Sequence, residues 1–129
     1  MQSAVHAGRT VVLVEDHEDS RVSMAMALRL LGYQVHEAGN GAVALVLISQ
    51  VKPHAVISDL EMPDMSGLEL ARRVRETHGA SIRLIALTGM PPRKVWGASL
   101  AAGFDFYLLK PVRTEELIPY IENEPVKDL

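Results

Sequence analysis

The strongest constraint on this chain is a strict alternation of five short apolar runs with five stretches of helical periodicity. The runs occupy residues 11–14, 33–38, 55–58, 83–87 and 106–109. Most are continuously apolar, as strands covered on both faces must be, whereas 33–38 alternates apolar with polar residues and reads as a half-buried edge strand. Strands that alternate with helices build a parallel sheet, because right-handed crossovers place helices on both of its faces. The expected fold is α/β: a doubly wound five-stranded parallel sheet in the order 2-1-3-4-5 with five helices, flavodoxin-like.

The helical stretches carry their own punctuation. Residues 17–31 show Val22, Met26 and Leu30 at one helical spacing, read as the inner face, with 24–31 counted as core. Gly32 ends that helix. Asn40 caps the second, over 41–51, and Pro53 follows it. The third starts near Ser66 with Leu70, Ala71 and Val74 inward. Pro91 and Pro92 open the fourth, which runs to about Ala102 with Val95 and Ala98 inward and Gly103 closing it. Trp96, between those inner positions, is expected to pack against a neighbouring helix. Thr114 caps a last helix through about Ile121, kinked or shortened by Pro119.

Five apolar runs within 129 residues fit one domain, with 1–9 a loose leader, 10–122 the domain and 123–129 a tail. A net charge of −3 without any run of Lys or Arg argues against a nucleic-acid surface. Cysteine is absent, so disulfides, thiolate metal sites and thiol nucleophiles are excluded. The five histidines show no ligand spacing with a nearby carboxylate, so no zinc site is expected. No signal peptide and no apolar run of membrane-spanning length appear, which leaves a cytoplasmic setting without direct membrane contact as the default.

Chemistry-bearing residues stand at the ends of these runs. Glu15 and Asp16 follow the first, Asp59 the third, Thr88 the fourth and Lys110 the last. In a parallel sheet those ends meet along one edge, and in the order 2-1-3-4-5 the first and third strands are neighbours where the order reverses. Three carboxylates, a hydroxyl and an ammonium suit a divalent cation together with a phosphoryl group. Singly, each has a plainer reading: Asp16 as a helix cap, Asp59 as a turn residue before Pro63, Thr88 as the last residue of a strand. Two adjacent acids repel unless compensated, and Lys110 is the one base the topology assigns to this edge. Pro111 is compatible with a cis bond that would set the direction of Lys110.

The segments Val-Val-Leu-Val-Glu15-Asp16, Asp59-Leu-Glu-Met-Pro63-Asp-Met-Ser-Gly67, Ala-Leu-Thr88-Gly and Ala-Gly-Phe-Asp-Phe-Tyr107-Leu-Leu-Lys110-Pro111 resemble the receiver domain of bacterial two-component response regulators. The likeness spans about Thr10 to Ile121 and is greatest to receivers attached to hybrid sensor histidine kinases. It implies that Asp59 accepts a phosphoryl group from a phosphohistidine on a sensor histidine kinase or histidine phosphotransfer protein. By the same resemblance Mg2+ is held by Asp16, Asp59 and the backbone carbonyl of Glu61, with Glu15 helping through water. Lys110 and Thr88 would contact phosphoryl oxygens, and Tyr107 would turn inward as a switch. The surface of the fourth helix, last strand and last helix would then meet partners or a second copy. Glu-Asp in place of Asp-Asp alters the reach of the first carboxylate, while Glu61 and Met90 stand where water would approach the acyl phosphate.

Such a domain is a signalling phosphoacceptor with, at most, slow self-dephosphorylation as enzymatic activity. Three other readings compete with it. A magnesium phosphatase of the haloacid-dehalogenase type would want a second Asp where Glu61 stands. A flavodoxin-like flavin protein is opposed by the acidic edge, and the third is a phosphorylation-independent interaction module.

Overall fold

The computed structural model describes residues 9–122. The leader (apart from Arg9) and the tail inferred from the sequence lie outside the described residues. The elements run β1 (Thr10–Val14), α1 (Glu18–Leu30), β2 (Gln34–Ala38), α2 (Gly41–Val51), β3 (Ala55–Asp59), α3 (Gly67–His78), β4 (Arg83–Thr88), α4 (Pro92–Ala102), β5 (Phe106–Leu109) and α5 (Ile118–Glu122). All strand pairs are parallel and their order is β2-β1-β3-β4-β5, as the alternation requires.

Alternate residues of each strand face opposite layers. Val12, Val14, Val56 and Leu84 join Ile48 of α2 and Leu70 and Val74 of α3 in one buried cluster. Val11, Leu13, Ile57, Ile85 and Leu87 join Ala25 and Leu28 of α1 and Leu117 and Ile121 in the other. The central strands are thus covered on both sides, which is why their runs are apolar without interruption.

Local chemistry sets most boundaries. The Asn40 side chain accepts from the Val43 N–H at 2.9 Å and that of Ser66 from the Glu69 N–H at 3.2 Å, so both helices start where a short polar side chain can satisfy an exposed amide. Gly103 closes α4 at φ 118°, a conformation a side chain would strain.

Three sequence expectations are corrected. Val22, Met26 and Leu30 point outward, 39%, 57% and 82% exposed, whereas Ala25 and Leu28 are buried. Helix α1 is apolar on both sides, so spacing alone did not decide which stripe faces the sheet, and the small Ala25 allows the closer approach. Ala98 is exposed, and the Trp96 ring meets Tyr107 of β5 edge-on, centroids 5.6 Å apart. Residues Thr114–Leu117 form a 3-10 turn ahead of α5, with Arg113 rather than Thr114 in the capping position. Pro119 lacks the N–H that a continuous α-helix would use four residues on from Glu115.

Candidate functional site

The carboxyl ends of β1, β3, β4 and β5 deliver the predicted residues to one place. Glu15, Asp16 and Asp59 each offer a carboxylate oxygen, and these oxygens lie within 4.8 Å of one another. Asp59 is 5% exposed, Glu15 is nearly as buried and Asp16 is open to solvent. Lys110 Nζ stands 2.9 Å from Asp59 Oδ1 and 3.4 Å from Glu15 Oε1. The Lys110–Pro111 bond is cis.

Two features tie the acids in place. The backbone N–H of His17 donates to Glu15 Oε2 at 3.0 Å, and Arg21 Nη1 donates to the Glu15 carbonyl at 3.0 Å. Lys110 is therefore not the one base at this edge, because Arg21 of α1 reaches it from the first helical turn. Behind Asp59, Gly67 packs so closely that a Cβ would collide with the Asp59 carbonyl oxygen and the Leu60 Cα. The Gly67 N–H donates to the Leu60 carbonyl at 3.0 Å, folding the loop after β3 back beneath the acid.

The electrostatics follow from this crowding. Burial raises the Asp59 pKa to about 6; Lys110 pulls it down and the Glu15 charge pushes it up. For Lys110 burial works against the ammonium, but the Asp59 and Glu15 carboxylates outweigh it and hold its pKa above the usual lysine value. Asp59 Oδ1 is buried, with the Lys110 ammonium 2.9 Å away as the one cation set against the three carboxylates among the described residues. A buried anionic oxygen in that condition, beside two further carboxylates, is what a hard divalent cation coordinates.

Thr88 and Tyr107 are placed differently from one another. Thr88, buried at the end of β4, donates its hydroxyl to Glu61 Oε2 at 2.5 Å and accepts from the Met90 N–H at 3.0 Å. Tyr107 is half-buried, and its hydroxyl donates to the Met90 carbonyl. Beside Lys110 and Glu15 a hollow of about 440 Å³ opens between α1 and the segment after β5, lined by Leu13, Met24, Leu87, Pro111 and Val112.

The chain matches the model of the response regulator receiver domain over residues 11–122, nearly all of the described fold. It belongs to that family. Response regulator MprA of Mycobacterium sp. (strain KMS) is 38% identical over 108 residues, which are 84% of this receiver and 46% of MprA. The receiver thus spans about half the length of that relative. The chemotaxis protein CheY4 of Vibrio cholerae superposes with a TM-score of 0.84 at 27% identity, covering 90% of this chain and 98% of CheY4. Response regulator TrrA of Thermotoga maritima, in complex with Mg2+ and BeF, gives 0.78 at 29% identity over 88% of this chain and 96% of TrrA. The family match favours the receiver reading over the phosphatase, flavin-protein and phosphorylation-independent readings. Among the described residues no helix is long and apolar enough to cross a membrane.

Sequence reasoning missed Arg21 and the bond that Thr88 makes to the Glu61 side chain. Arg21 stands five residues after Asp16 on the first helix, so the turn geometry of α1 carried a signal for it. For Glu61 nothing in the spacing fixed the direction of its side chain.

Proposed function

We propose that Asp59 is the phosphoacceptor of this receiver and that Glu15, Asp16, Asp59 and the Glu61 backbone carbonyl hold Mg2+. The observation that carries this is the buried Asp59 Oδ1, 2.9 Å from Lys110 Nζ and grouped with two further carboxylates. When bound, the cation neutralises charge on the phosphoryl oxygens. An Asp59 carboxylate oxygen attacks phosphorus, the P–N bond of the donor phosphohistidine breaks, and its electron pair returns to the imidazole nitrogen. The product is an acyl phosphate on Asp59. Lys110 then shares its ammonium with a phosphoryl oxygen, and Thr88 turns its hydroxyl to another, which frees room for Tyr107 to rotate inward.

The donor is a sensor histidine kinase or a histidine phosphotransfer protein. It must cover the rim of the acid site to bring its histidine within reach. The outward stripe Val22, Met26 and Leu30 of α1 offers the apolar area for that contact. Output runs through the face of α4, β5 and α5, where Leu100 and Leu109 are exposed, with a partner or a second copy of the chain.

The test is intact mass spectrometry after incubation with acetyl phosphate and Mg2+, on the wild type and Asp59→Asn. A magnesium-dependent adduct of one phosphoryl group, labile to hydroxylamine and absent from the variant, is expected. An adduct that persists in Asp59→Asn would refute the assignment, as would its absence when a phosphohistidine donor and beryllofluoride also fail to act on the wild type.

A further inference from the structure

Four residues form one continuous line from the acid site to the output face. Glu61 Oε2 accepts from the Thr88 hydroxyl, Thr88 Oγ1 accepts from the Met90 N–H, and the Met90 carbonyl accepts from the Tyr107 hydroxyl. The Tyr107 ring in turn meets Trp96 edge-on at an interplanar angle of 69°. We propose that the Glu61 side chain is a positioning residue: it holds the Thr88 hydroxyl in the unphosphorylated arrangement, and phosphorylation must break that bond before the Tyr107 segment can move. This deepens the reading of Asp59 as phosphoacceptor and rests on it.

Valence makes the two arrangements exclusive. A threonine hydroxyl carries a single proton, so it cannot donate to the Glu61 carboxylate and to a phosphoryl oxygen at once. The bond it makes here, 2.5 Å to a carboxylate, falls in the short range typical of charge-assisted O–H···O⁻ contacts. The phosphoryl group therefore competes with Glu61 for this proton. Glu61 is exposed and free to swing into water, whereas Thr88 is buried. Because the Met90 amide is held by Thr88 Oγ1 and the Met90 carbonyl holds Tyr107, moving Thr88 releases the tyrosine through a single residue of backbone. The proximity of Glu61 to Tyr107 has a second trace: after burial, the Glu61 charge contributes to raising the phenol pKa above its ordinary value.

Trp96 is the sole tryptophan of the chain, so its emission reports the state of the Tyr107 ring. Emission is to be compared for wild type, Glu61→Gln, Glu61→Leu, Thr88→Val and Glu61→Leu/Thr88→Val, first without metal and then during titration with beryllofluoride in Mg2+. Glu61→Leu, which offers no acceptor, should move the metal-free emission toward that of the beryllofluoride-saturated wild type and lower the beryllofluoride midpoint by about fivefold, the scale of one net hydrogen bond. Glu61→Gln keeps an oxygen acceptor but loses its charge and should fall between the wild type and Glu61→Leu, which separates positioning from general loosening. In the Thr88→Val background, Glu61→Leu should add nothing. Emission and midpoint of Glu61→Leu equal to those of the wild type would overturn the proposal, and so would an effect that persists without the Thr88 hydroxyl. A wild type that does not respond to beryllofluoride at all sinks the phosphoacceptor reading instead; the metal-free comparison of Glu61→Leu with wild type then decides the hydrogen-bonded line by itself.

Discussion

Asp59 is held where its charge is costly to the fold. Its pKa stands near 6, above the ordinary 3.8, because burial disfavours the carboxylate more than Lys110 restores it. The folded state therefore binds this proton more tightly than the unfolded chain does. Stability from this group is present at low pH, falls as pH rises between the two values, and the full cost stands at neutrality. Asp59→Asn removes the titration, so in metal-free buffer near neutral pH it should stabilise the protein, by at most about 3 kcal/mol, since each tenfold change in proton affinity is worth about 1.4 kcal/mol. The gain should shrink as the pH is lowered toward about 4, and urea denaturation of both proteins across that range checks it. An Asn variant less stable than the wild type at neutral pH would contradict this account. Glu15, Asp16, Asp59, Thr88 and Lys110 were legible in the sequence because each ends an apolar run, and topology converts that position into a place. The Glu61–Thr88 bond was not, because rotamers at an exposed loop residue are set by neighbours that only the folded chain brings together.

At the scale of elements, the same contrast between position and facing recurs in α1. Its residues include apolar side chains at both of two interleaved helical spacings, so periodicity marked a helix but not its inner side. The buried stripe is Ala25 and Leu28, flanked by the partly buried Met24 and Leu31. Leu28→Ala should cost about 2–5 kcal/mol, as for a large-to-small change in a packed core, read by urea denaturation. Met26→Gln and Leu30→Gln should each change stability by less than about 0.5 kcal/mol while slowing phosphotransfer from a histidine donor and leaving phosphorylation by acetyl phosphate unchanged. Equal loss with both donors would rule out α1 as the donor's docking face. Gly67 shows how an element's first residue can serve the site. Gly67→Ala drives a methyl group against backbone atoms of Asp59 and Leu60, which cannot yield as a flexible side chain would. It should destabilise by about 1–3 kcal/mol, and the measurement is the same denaturation midpoint at unchanged slope.

Across the whole molecule the two ends of the sheet behave oppositely. The carboxyl ends crowd like charges around Asp59, whereas the amino ends are closed by well-matched polar contacts. Tyr33 donates to Glu122 Oε2 at 2.6 Å, Arg9 pairs with Glu122 Oε1 at 2.9 Å, and Arg83 Nη1 donates to the Ile121 carbonyl at 2.6 Å. His54 Nε2 lies 2.9 Å from the same carbonyl and 2.9 Å from Arg9 Nη1. These contacts anchor the end of α5, a short helix that has little hydrogen bonding of its own to hold it. Tyr33→Phe deletes one bond to a carboxylate while keeping the buried ring, and should cost about 1.5–3 kcal/mol. Along a strand of this length the two ends stand about 13 Å apart, beyond the range in which substitutions ordinarily couple. Tyr33→Phe and Asp59→Asn should then have opposite signs and sum, in the double variant, to within about 0.5 kcal/mol by urea denaturation in metal-free buffer. A larger discrepancy would mean that the charge crowding at the acid edge is shared through the sheet with the α5 anchor, rather than confined to the pocket where the metal is proposed to bind.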